Sequence, residues 1–190
     1  MRKSLRVGLL GGSFNPIHNS HIKLIHTVLQ RKLVDEVWII PCKKHAFGKE
    51  LTSAKHRVAM LKLAFKGMRG VHISSVELTT QDINYTYRTI ALLEKRYPFQ
   101  FSFIIGSDLI KELPDWKYYG RLLRKVHFLV FHRQGFPVHA LPGMHMTRIH
   151  VAADNISSRR IRQCIAAGKK PEHLPAAVST YIRKHGLYAG

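Results

Sequence analysis

Two histidines follow a pair of glycines in the stretch GGSFNPIHNSH, directly after the first apolar run of the chain. Gly11 and Gly12 allow the backbone to approach a ligand closely, and the proline that follows them stiffens the turn. A helix that begins here would direct free backbone N–H groups and the positive end of its dipole towards an anion. Because His18 and His21 are three residues apart, they share one face of that helix start and could both donate hydrogen bonds to one phosphate. The stretch therefore predicts a phosphate site.

The same stretch is open to other interpretations. Two of the 13 histidines of the chain could lie near a turn without a function, as ordinary polar surface. A zinc site is the weaker interpretation, because no third ligand lies at the spacing that zinc-binding motifs show. The glycines match neither the GxGxxG fingerprint nor the GK[ST] of a P-loop, so the stretch indicates neither a bound dinucleotide cofactor nor a Walker-type ATPase.

A second anion motif lies near the end of the chain, in NISSRRIR. Ser157 or Ser158 can cap a helix whose first turns carry Arg159, Arg160 and Arg162. Hydroxyl, backbone N–H and guanidinium groups would then converge on one helix end, a combination that suits phosphate. The alternative is an ordinary capped helix with a basic face.

Short apolar runs with helical patterns between them indicate a parallel α/β sheet. The runs predict strands at 5–10, 37–40, 71–75, 101–105 and 126–131. Helix-period apolar positions predict helices at 20–33, 53–66, 86–96, 109–124, 158–167 and 175–185, and the longest irregular piece is 133–148. Near-continuous apolar strands about 30 residues apart are typical of a doubly wound parallel sheet with helices on both faces. We expect one domain over 1–190, with a ligand site at the carboxyl ends of the strands, where GSDL follows the fourth one.

Composition restricts the setting in which such a domain works. The 45% share of hydrophobic residues supports a folded core, and no run approaches the roughly 18–20 apolar residues that cross a bilayer. Cys42 and Cys164 have no CxxC spacing and indicate neither a disulfide framework nor a cysteine zinc site, which fits a reducing cytoplasm. A net charge of +20 favours polyanionic partners, either nucleic acid or nucleotides, although dispersed charges are also typical of a solvated basic surface.

Together the two anion motifs resemble those of the HxGH nucleotidyltransferases. GGSFNPIHNSH is similar to their GxFxPxHxGH signature, and ISSRRIR is similar to their ISSTxIR motif. Within this superfamily the chain most resembles the bacterial nicotinate mononucleotide adenylyltransferases, because further matching stretches cover essentially the whole chain: NYTYRTIALLEKRYP, IIGSDLIKELPDWKYYGRLL, FHRQGF and LPAAVSTYIRKHGLY. The resemblance implies a Rossmann-like nucleotidyltransferase fold. It also implies a cytoplasmic enzyme of NAD biosynthesis that transfers the adenylyl group of ATP to nicotinate or nicotinamide mononucleotide and releases pyrophosphate.

The resemblance further implies roles for individual residues. His18 and His21 would contact the α-phosphate and its transition state. Mg²⁺ would bridge the phosphates with few protein ligands, and no residue is assigned as a metal ligand. The remaining implied contacts are with ATP, through Gly11, Gly12, Ser13, Phe14, Gly106, Asp108, Ile156, Ser157, Ser158 and Arg162, and with the pyridine mononucleotide, through Thr86, Trp116 and Arg133.

The chain departs from the family pattern at two places. Ser20 replaces the glycine of HxGH and adds a hydroxyl that could itself contact a phosphate oxygen. The segment 41–57 lacks the PPHK run common in nicotinate enzymes, so both pyridine substrates stay open. Two other functions also stay open: another transferase of the superfamily, such as pantetheine-phosphate adenylyltransferase, and a basic nucleic-acid-binding protein without catalysis. Neither an oligomeric state nor a membrane partner is predicted.

Overall fold

The structure is a computed structural model that describes residues 4–43, 51–79, 85–151 and 156–189. Within these ranges the strands are β1 (Arg6–Gly12), β2 (Glu36–Pro41), β3 (Val71–Ile73), β4 (Gln100–Gly106), β5 (His127–Phe131) and β6 (Met146–Ile149). They form one sheet in the order β3-β2-β1-β4-β5-β6, and every neighbouring pair is parallel. From β1 the chain adds β2 and β3 towards one edge of the sheet. It then returns to the other side of β1 and adds β4, β5 and β6 towards the opposite edge. The strand order therefore reverses between β1 and β4.

The central strands are buried along most of their length, as a sheet covered on both faces requires. In β1 the burial runs from Val7 to Leu10, and in β2 it runs from Val37 to Pro41. The apolar runs in the sequence reflect this burial, and the predicted doubly wound parallel α/β sheet is confirmed.

Helices cover both faces of the sheet. They are α1 (Asn19–Gln30), α2 (Ala54–Ala64), α3 (Thr86–Arg96), α4 (Tyr119–Lys125), α5 (Ser158–Ala166) and α6 (Ala176–Lys184), with a 3₁₀ helix (Ser107–Asp115) between α3 and α4. One face packs against α3, the 3₁₀ helix and α4 through a core that includes Trp38, Phe103 and Phe128. The other packs against α1, α2 and α6 through a core that includes Ile25 and Leu61. In the described part of the chain, none of these helices combines the length and the apolar character needed to cross a membrane.

The single helix predicted over 109–124 is wrong. The chain forms the 3₁₀ helix up to Asp115 and begins α4 only at Tyr119. Pro114 lies inside the 3₁₀ helix and has no N–H to donate to a further helical turn. Tyr118, directly before α4, adopts a left-handed backbone with φ of 63°. Trp116 therefore lies in a break between two short helices rather than within one long helix.

The irregular segment predicted over 133–148 is also corrected, because it contains the start of a strand. β6 begins at Met146 and pairs with β5 at the edge of the sheet. Only Ile149 of β6 is buried, so this strand lacks the apolar run by which the others were predicted. The remaining predicted elements are confirmed with ends that shift by a few residues, as where α1 ends at Gln30.

Candidate active site

A cavity of about 830 Å³ opens at the carboxyl ends of the strands. Gly11 and Gly12 line it at the end of β1, Cys42 lines it just beyond β2, and Gly106 lines it at the end of β4. The strand order reverses between β1 and β4, and this is the point at which an open α/β sheet leaves a crevice for a ligand. The cavity therefore lies where the topology favours a binding site.

Most of the residues predicted for the site line this cavity. They are Gly11, Gly12, Ser13, His18, His21, Thr86, Gly106, Asp108, Trp116 and Arg133. The other predicted site residues, all within the described ranges, lie outside its lining: Phe14, Ile156, Ser157, Ser158 and Arg162. Phe14 is 2% exposed, and its ring packs against Gly12 and His21. Phe14 therefore supports the glycine turn from the protein side.

His18 and His21 form one unit at the start of α1. Their ring centroids are 3.8 Å apart, and the backbone N–H of His18 donates to Nδ1 of His21 at 3.4 Å. Burial, followed by the charges of His18 and Arg133, lowers the pKa of His21 well below its ordinary value. His21 is therefore neutral at pH 7. Because its Nδ1 accepts a hydrogen bond, the ring proton lies on Nε2, which can donate to a phosphate oxygen.

Ser20 stands between the two histidines in the sequence and lines the cavity. Its Oγ is buried and has no hydrogen-bond partner among the described residues. A buried hydroxyl without a partner costs free energy. The free protein therefore holds an unused donor beside the histidine pair, at the position where the sequence departs from HxGH.

The second anion motif is held against the turn that carries the histidines. Ser157 caps α5 by accepting a hydrogen bond from a backbone N–H of its first turn, which confirms one of the two predicted caps. Ser158 Oγ donates to the carbonyl of Pro16 at 2.8 Å, and Arg162 Nη1 donates to the carbonyl of Asn15 at 2.7 Å. The motif therefore fastens this turn, while its contact with phosphate stays a prediction.

The C-terminal segment reaches the same turn. The hydroxyl of Tyr188 donates to Oδ1 of Asn15 at 2.7 Å, and Asn15 is 2% exposed. Burial raises the pKa of Tyr188, so its hydroxyl stays protonated and continues to donate near neutral pH. Tyr188 of the C-terminal LY pair thus supports the histidine turn.

Arg57 is a positioning residue that the sequence interpretation missed. Its side chain is 1% exposed and donates to three backbone carbonyls, including those of Ser13 and Cys42 at 2.9 and 2.8 Å. Both of these residues line the cavity. A signal for this role was present, because Arg57 shares the buried face of α2 with Met60 and Leu61, where an unpaired charge is costly.

The end of β4 brings a carboxylate and a guanidinium together. Asp108 Oδ2 and Arg133 Nε are 3.4 Å apart, and Ser107 Oγ joins the two segments by accepting from the Arg133 N–H at 2.8 Å. A Cβ at Gly106 would overlap the Asp108 carboxylate and crowd Arg133. A side chain at 106 would therefore force the Asp108 carboxylate to move, so glycine here allows Asp108 to stay close to the backbone.

A partly buried acid, Glu77, also lines the cavity, next to α3. Thr89 Oγ1 donates to its carboxylate at 2.9 Å, and Thr86, one turn earlier on α3, lines the cavity as well. Burial raises the pKa of Glu77 to about 7 against the opposing effect of that hydrogen bond. No pattern in the sequence marks Glu77, because it lies in a loop after a short strand.

Some predicted stretches extend beyond the described residues: 44–50 within the segment 41–57, Asn84 at the start of NYTYRT, and Asn155 at the start of NISSRRIR. Among the residues that the structure does describe, no group of three or more His, Cys, Asp and Glu side chains could hold a metal ion. Cys42 and Cys164 are free thiols.

Comparisons with known proteins identify the family. A sequence profile of the cytidylyltransferase-like family matches residues 9–164. A Streptococcus pyogenes serotype M3 protein named "Probable nicotinate-nucleotide adenylyltransferase" is 37% identical over 187 residues, which cover 96% of this chain and 88% of that protein. A Streptococcus pneumoniae serotype 4 protein of the same name is 36% identical over 191 residues, which cover 98% and 90%.

Solved structures share the fold. A Plasmodium falciparum nicotinic acid mononucleotide adenylyltransferase complexed with NaAD has a TM-score of 0.85 at 22% identity, covering 97% of both chains. The same enzyme complexed with APC also has a TM-score of 0.85, at 21% identity and the same coverage. These matches confirm the Rossmann-like nucleotidyltransferase fold, and the sequence relatives confirm the resemblance on which the site was predicted. The chain belongs to the cytidylyltransferase-like family and, within it, to the nicotinate-nucleotide adenylyltransferases.

Proposed function

We propose that this protein transfers the adenylyl group of ATP to nicotinate mononucleotide in NAD biosynthesis and releases pyrophosphate. One observation carries the proposal above all: a neutral His21 donor, the glycine turn and the Ser20 hydroxyl line one cavity at the carboxyl edge of the sheet. Such a group of uncharged donors at a helix start suits an anion with several phosphates. The name shared by the 36–37% identical relatives supports the choice of substrate.

In this reaction an oxygen of the mononucleotide 5′-phosphate attacks the α-phosphorus of ATP in line with the departing pyrophosphate. One P–O bond forms and the bond from the α-phosphorus to the bridging oxygen breaks, so the reaction needs no covalent intermediate on the protein. The protein positions the reacting phosphates and stabilises the charge that develops on their oxygens. His18 and His21 act on the α-phosphate, His21 by donating from Nε2.

The β- and γ-phosphates are assigned to the second anion motif. Arg162 is anchored at Asn15, which keeps its positive charge beside the histidine turn, and Ser157 and Ser158 lie at the start of the same helix. A Mg²⁺ ion bound to the triphosphate would neutralise part of its charge. A metal held mainly by phosphate oxygens and water needs few protein ligands. This mode of binding is compatible with the described residues, which contain no cluster of three or more His, Cys, Asp and Glu side chains that could hold a metal ion.

The nucleoside groups occupy the remainder of the cavity. Asp108, which follows β4, accepts hydrogen bonds from the adenosine ribose next to Gly106. Thr86 and Trp116 hold the pyridine ring, with Trp116 stacking on it. Arg133, which lines the cavity, binds the phosphate of the mononucleotide.

A substrate panel tests the proposed function. ATP and Mg²⁺ are combined with nicotinate mononucleotide, nicotinamide mononucleotide or 4′-phosphopantetheine, and pyrophosphate release is measured for each. We expect turnover with nicotinate mononucleotide and none with phosphopantetheine. Turnover with 4′-phosphopantetheine alone would assign the alternative activity, that of a pantetheine-phosphate adenylyltransferase. No turnover together with steeply salt-dependent RNA binding assigns a nucleic-acid-binding protein.

Replacement of His21 by alanine tests the mechanism. Loss of one donor that acts on transition-state charge lowers kcat about 10²–10³-fold, whereas KM changes less. His26→Ala is the matched control, because His26 is an exposed histidine on the same helix, and its kcat should equal that of the parent. If His21→Ala also keeps the parent kcat, His21 has no role in the chemical step.

We propose that the enzyme works in the cytoplasm. Both described cysteines are free thiols, and a reducing compartment keeps thiols in that form. Fractionation of cells that express the chain, followed by the pyrophosphate assay on each fraction, tests this location; activity confined to a fraction outside the cytoplasm would contradict it.

A further inference from the structure

Glu77 is an acid in the cavity that the mechanism above does not use. It lines the cavity, and Thr89 Oγ1 donates to its carboxylate at 2.9 Å. Thr89 is 7% exposed and lies three residues after Thr86 on α3, so the two threonines share one helix face. Glu77 therefore contacts α3 about one helical turn after Thr86, the residue that is proposed to hold the pyridine ring.

The net charge of the cavity next to α3 depends on whether Glu77 is ionised. Titratable groups on the neighbouring elements line the same cavity: Cys42 and Lys43 after β2, Tyr85 before α3, and Glu112, Asp115 and Lys117 around the 3₁₀ helix. Burial chiefly raises the pKa of Cys42; the charge of Arg57 lowers it and that of Glu77 raises it. The thiol therefore stays neutral near pH 7. Burial raises the pKa of Glu77 to about 7, which leaves acid and carboxylate in comparable amounts at neutral pH.

Nicotinate and nicotinamide mononucleotides differ only in the substituent of the pyridine ring. Nicotinate carries a carboxylate, which is negative and only accepts hydrogen bonds, whereas nicotinamide carries a neutral amide whose N–H groups donate. A neutral glutamic acid can donate to the carboxylate of nicotinate. An ionised glutamate repels that carboxylate but accepts a hydrogen bond from the amide.

We propose that Glu77 sets the preference between the two mononucleotides by its own protonation, as an acid that donates to nicotinate and as a carboxylate that accepts from nicotinamide. This inference rests on the proposed function and deepens it, because it names the residue that distinguishes the ring substituents. The preference for nicotinate should fall as the pH rises through neutrality. Nicotinate binding should also take up a proton near pH 7, because the charge of the ligand favours the neutral form of Glu77.

Steady-state kinetics with both substrates from pH 6 to pH 8.5 test the inference. The measured quantity is the ratio of kcat/KM for nicotinate mononucleotide to kcat/KM for nicotinamide mononucleotide. The 5′-phosphate and the histidine pair serve both substrates, so their titration cancels in this ratio. For the parent enzyme we expect the ratio to fall about tenfold over this range, which corresponds to about 1.4 kcal/mol.

Two variants separate this role from a structural one. In Glu77→Gln the ratio should not depend on pH, because glutamine has the same shape and does not titrate. In Thr89→Val the loss of a hydrogen bond to the carboxylate raises the pKa of Glu77, so the fall in the ratio should move to higher pH. Glu172→Gln is the control for loss of one negative charge, since the Glu172 side chain is 86% exposed, and its ratio should follow the parent.

Calorimetry of the parent protein with nicotinate mononucleotide, in buffers of different ionisation enthalpy, measures the proton uptake directly. Uptake near pH 7 that exceeds the uptake with nicotinamide mononucleotide supports the role even if a variant fails to fold. A pH-independent ratio in the parent, a pH dependence that persists in Glu77→Gln, or equal uptake with both ligands overturns the role of Glu77 alone. A parent protein that forms neither dinucleotide overturns the proposed function and this inference with it.

Discussion

Replacement of Arg57 by alanine tests whether one buried cation holds the loops of the cavity in place. The guanidinium donates to the carbonyls of Thr52, Ser13 and Cys42 at 2.9, 2.9 and 2.8 Å. These carbonyls belong to the segment before α2, the turn after β1 and the segment after β2. Alanine would remove all three donors and leave a space of the size of the arginine side chain.

The size of the effect follows from these three bonds. A hydrogen bond with a charged donor contributes about 1.5–3 kcal/mol, while burial of the charge itself costs free energy and burial indeed lowers the pKa of Arg57. Water that enters the vacated space restores part of the lost hydrogen bonding. We therefore expect the free energy of unfolding to fall by about 3–5 kcal/mol, because three buried carbonyls each lose a charged donor while the avoided burial of the charge and the entering water offset part of that loss.

Urea unfolding followed by circular dichroism measures this difference. Arg69→Ala is the control, because Arg69 is exposed, and it should change the free energy of unfolding by less than about 0.5 kcal/mol. Arg57→Lys should lie between the parent and Arg57→Ala, since an ammonium cannot reproduce the fork of a guanidinium. An Arg57→Ala protein within about 1 kcal/mol of the parent would contradict the role of Arg57 in holding these three segments.

Substitutions at three cavity residues have equally direct outcomes. Ser20→Ala removes a buried hydroxyl with no described partner, so thermal unfolding should show that the protein gains about 1 kcal/mol in stability. The KM for ATP should rise in the same variant, because the phosphate loses a donor. An unchanged KM for ATP would contradict a phosphate contact of Ser20. Gly106→Ala displaces the Asp108 carboxylate, and KM for ATP should rise several-fold at little cost in Tm; an unchanged KM would remove Asp108 from the ATP site. For Glu77 the folded pKa is raised from 4.5 to about 7, so its contribution to stability is lost as the pH rises from 4.5 through 7. Glu77→Gln should therefore stabilise the protein at pH 8 by about 1–3 kcal/mol, allowing for partial exposure, but not at pH 4.5, and equal effects in urea unfolding at both pH values would contradict this.

The sheet was predictable because its strands are buried on both faces. Runs such as VWII and FSFII have to be apolar at every position when helices cover both sides, so the apolar run itself marks the strand. β6 shows the limit of this rule. It lies at the sheet edge and buries only Ile149. It forms because it pairs with β5, and this pairing cannot be predicted from its four residues alone.

The break at Trp116 depends on context in a similar way. The apolar spacing over 109–124 fits one continuous helix. Within this segment, Pro114 indicated a break in that helix. The left-handed backbone of Tyr118 is an unfavourable choice for a tyrosine, so the sequence around it could not predict this conformation. The break leaves Trp116 among the residues that line the cavity.

Residues of the site fall into two groups with respect to sequence interpretation. The glycine turn and the histidine pair were predictable because backbone freedom, a helix start and side-chain donors occur together within one stretch. Arg57 and Glu77 were missed because their roles depend on partners far along the chain or in another element, such as the Ser13 carbonyl for Arg57 and the Thr89 hydroxyl for Glu77.

The two anion motifs are held together by hydrogen bonds within the protein, before any ligand binds between them. Ser158 and Arg162 are 142 and 147 residues away from their acceptors Pro16 and Asn15, so the docked helix α5 helps to hold the histidine turn in its conformation. The docked turn keeps His18 and His21 at the edge of the cavity, where the N–H of His18 orients the ring of His21. Arg162 therefore contributes to the position of His21 before ATP arrives. A loss of activity in an Arg162 variant consequently reports on both phosphate binding and the geometry of the histidine pair, and the change in the pKa of His21 separates the two, because only a displaced turn would alter its burial.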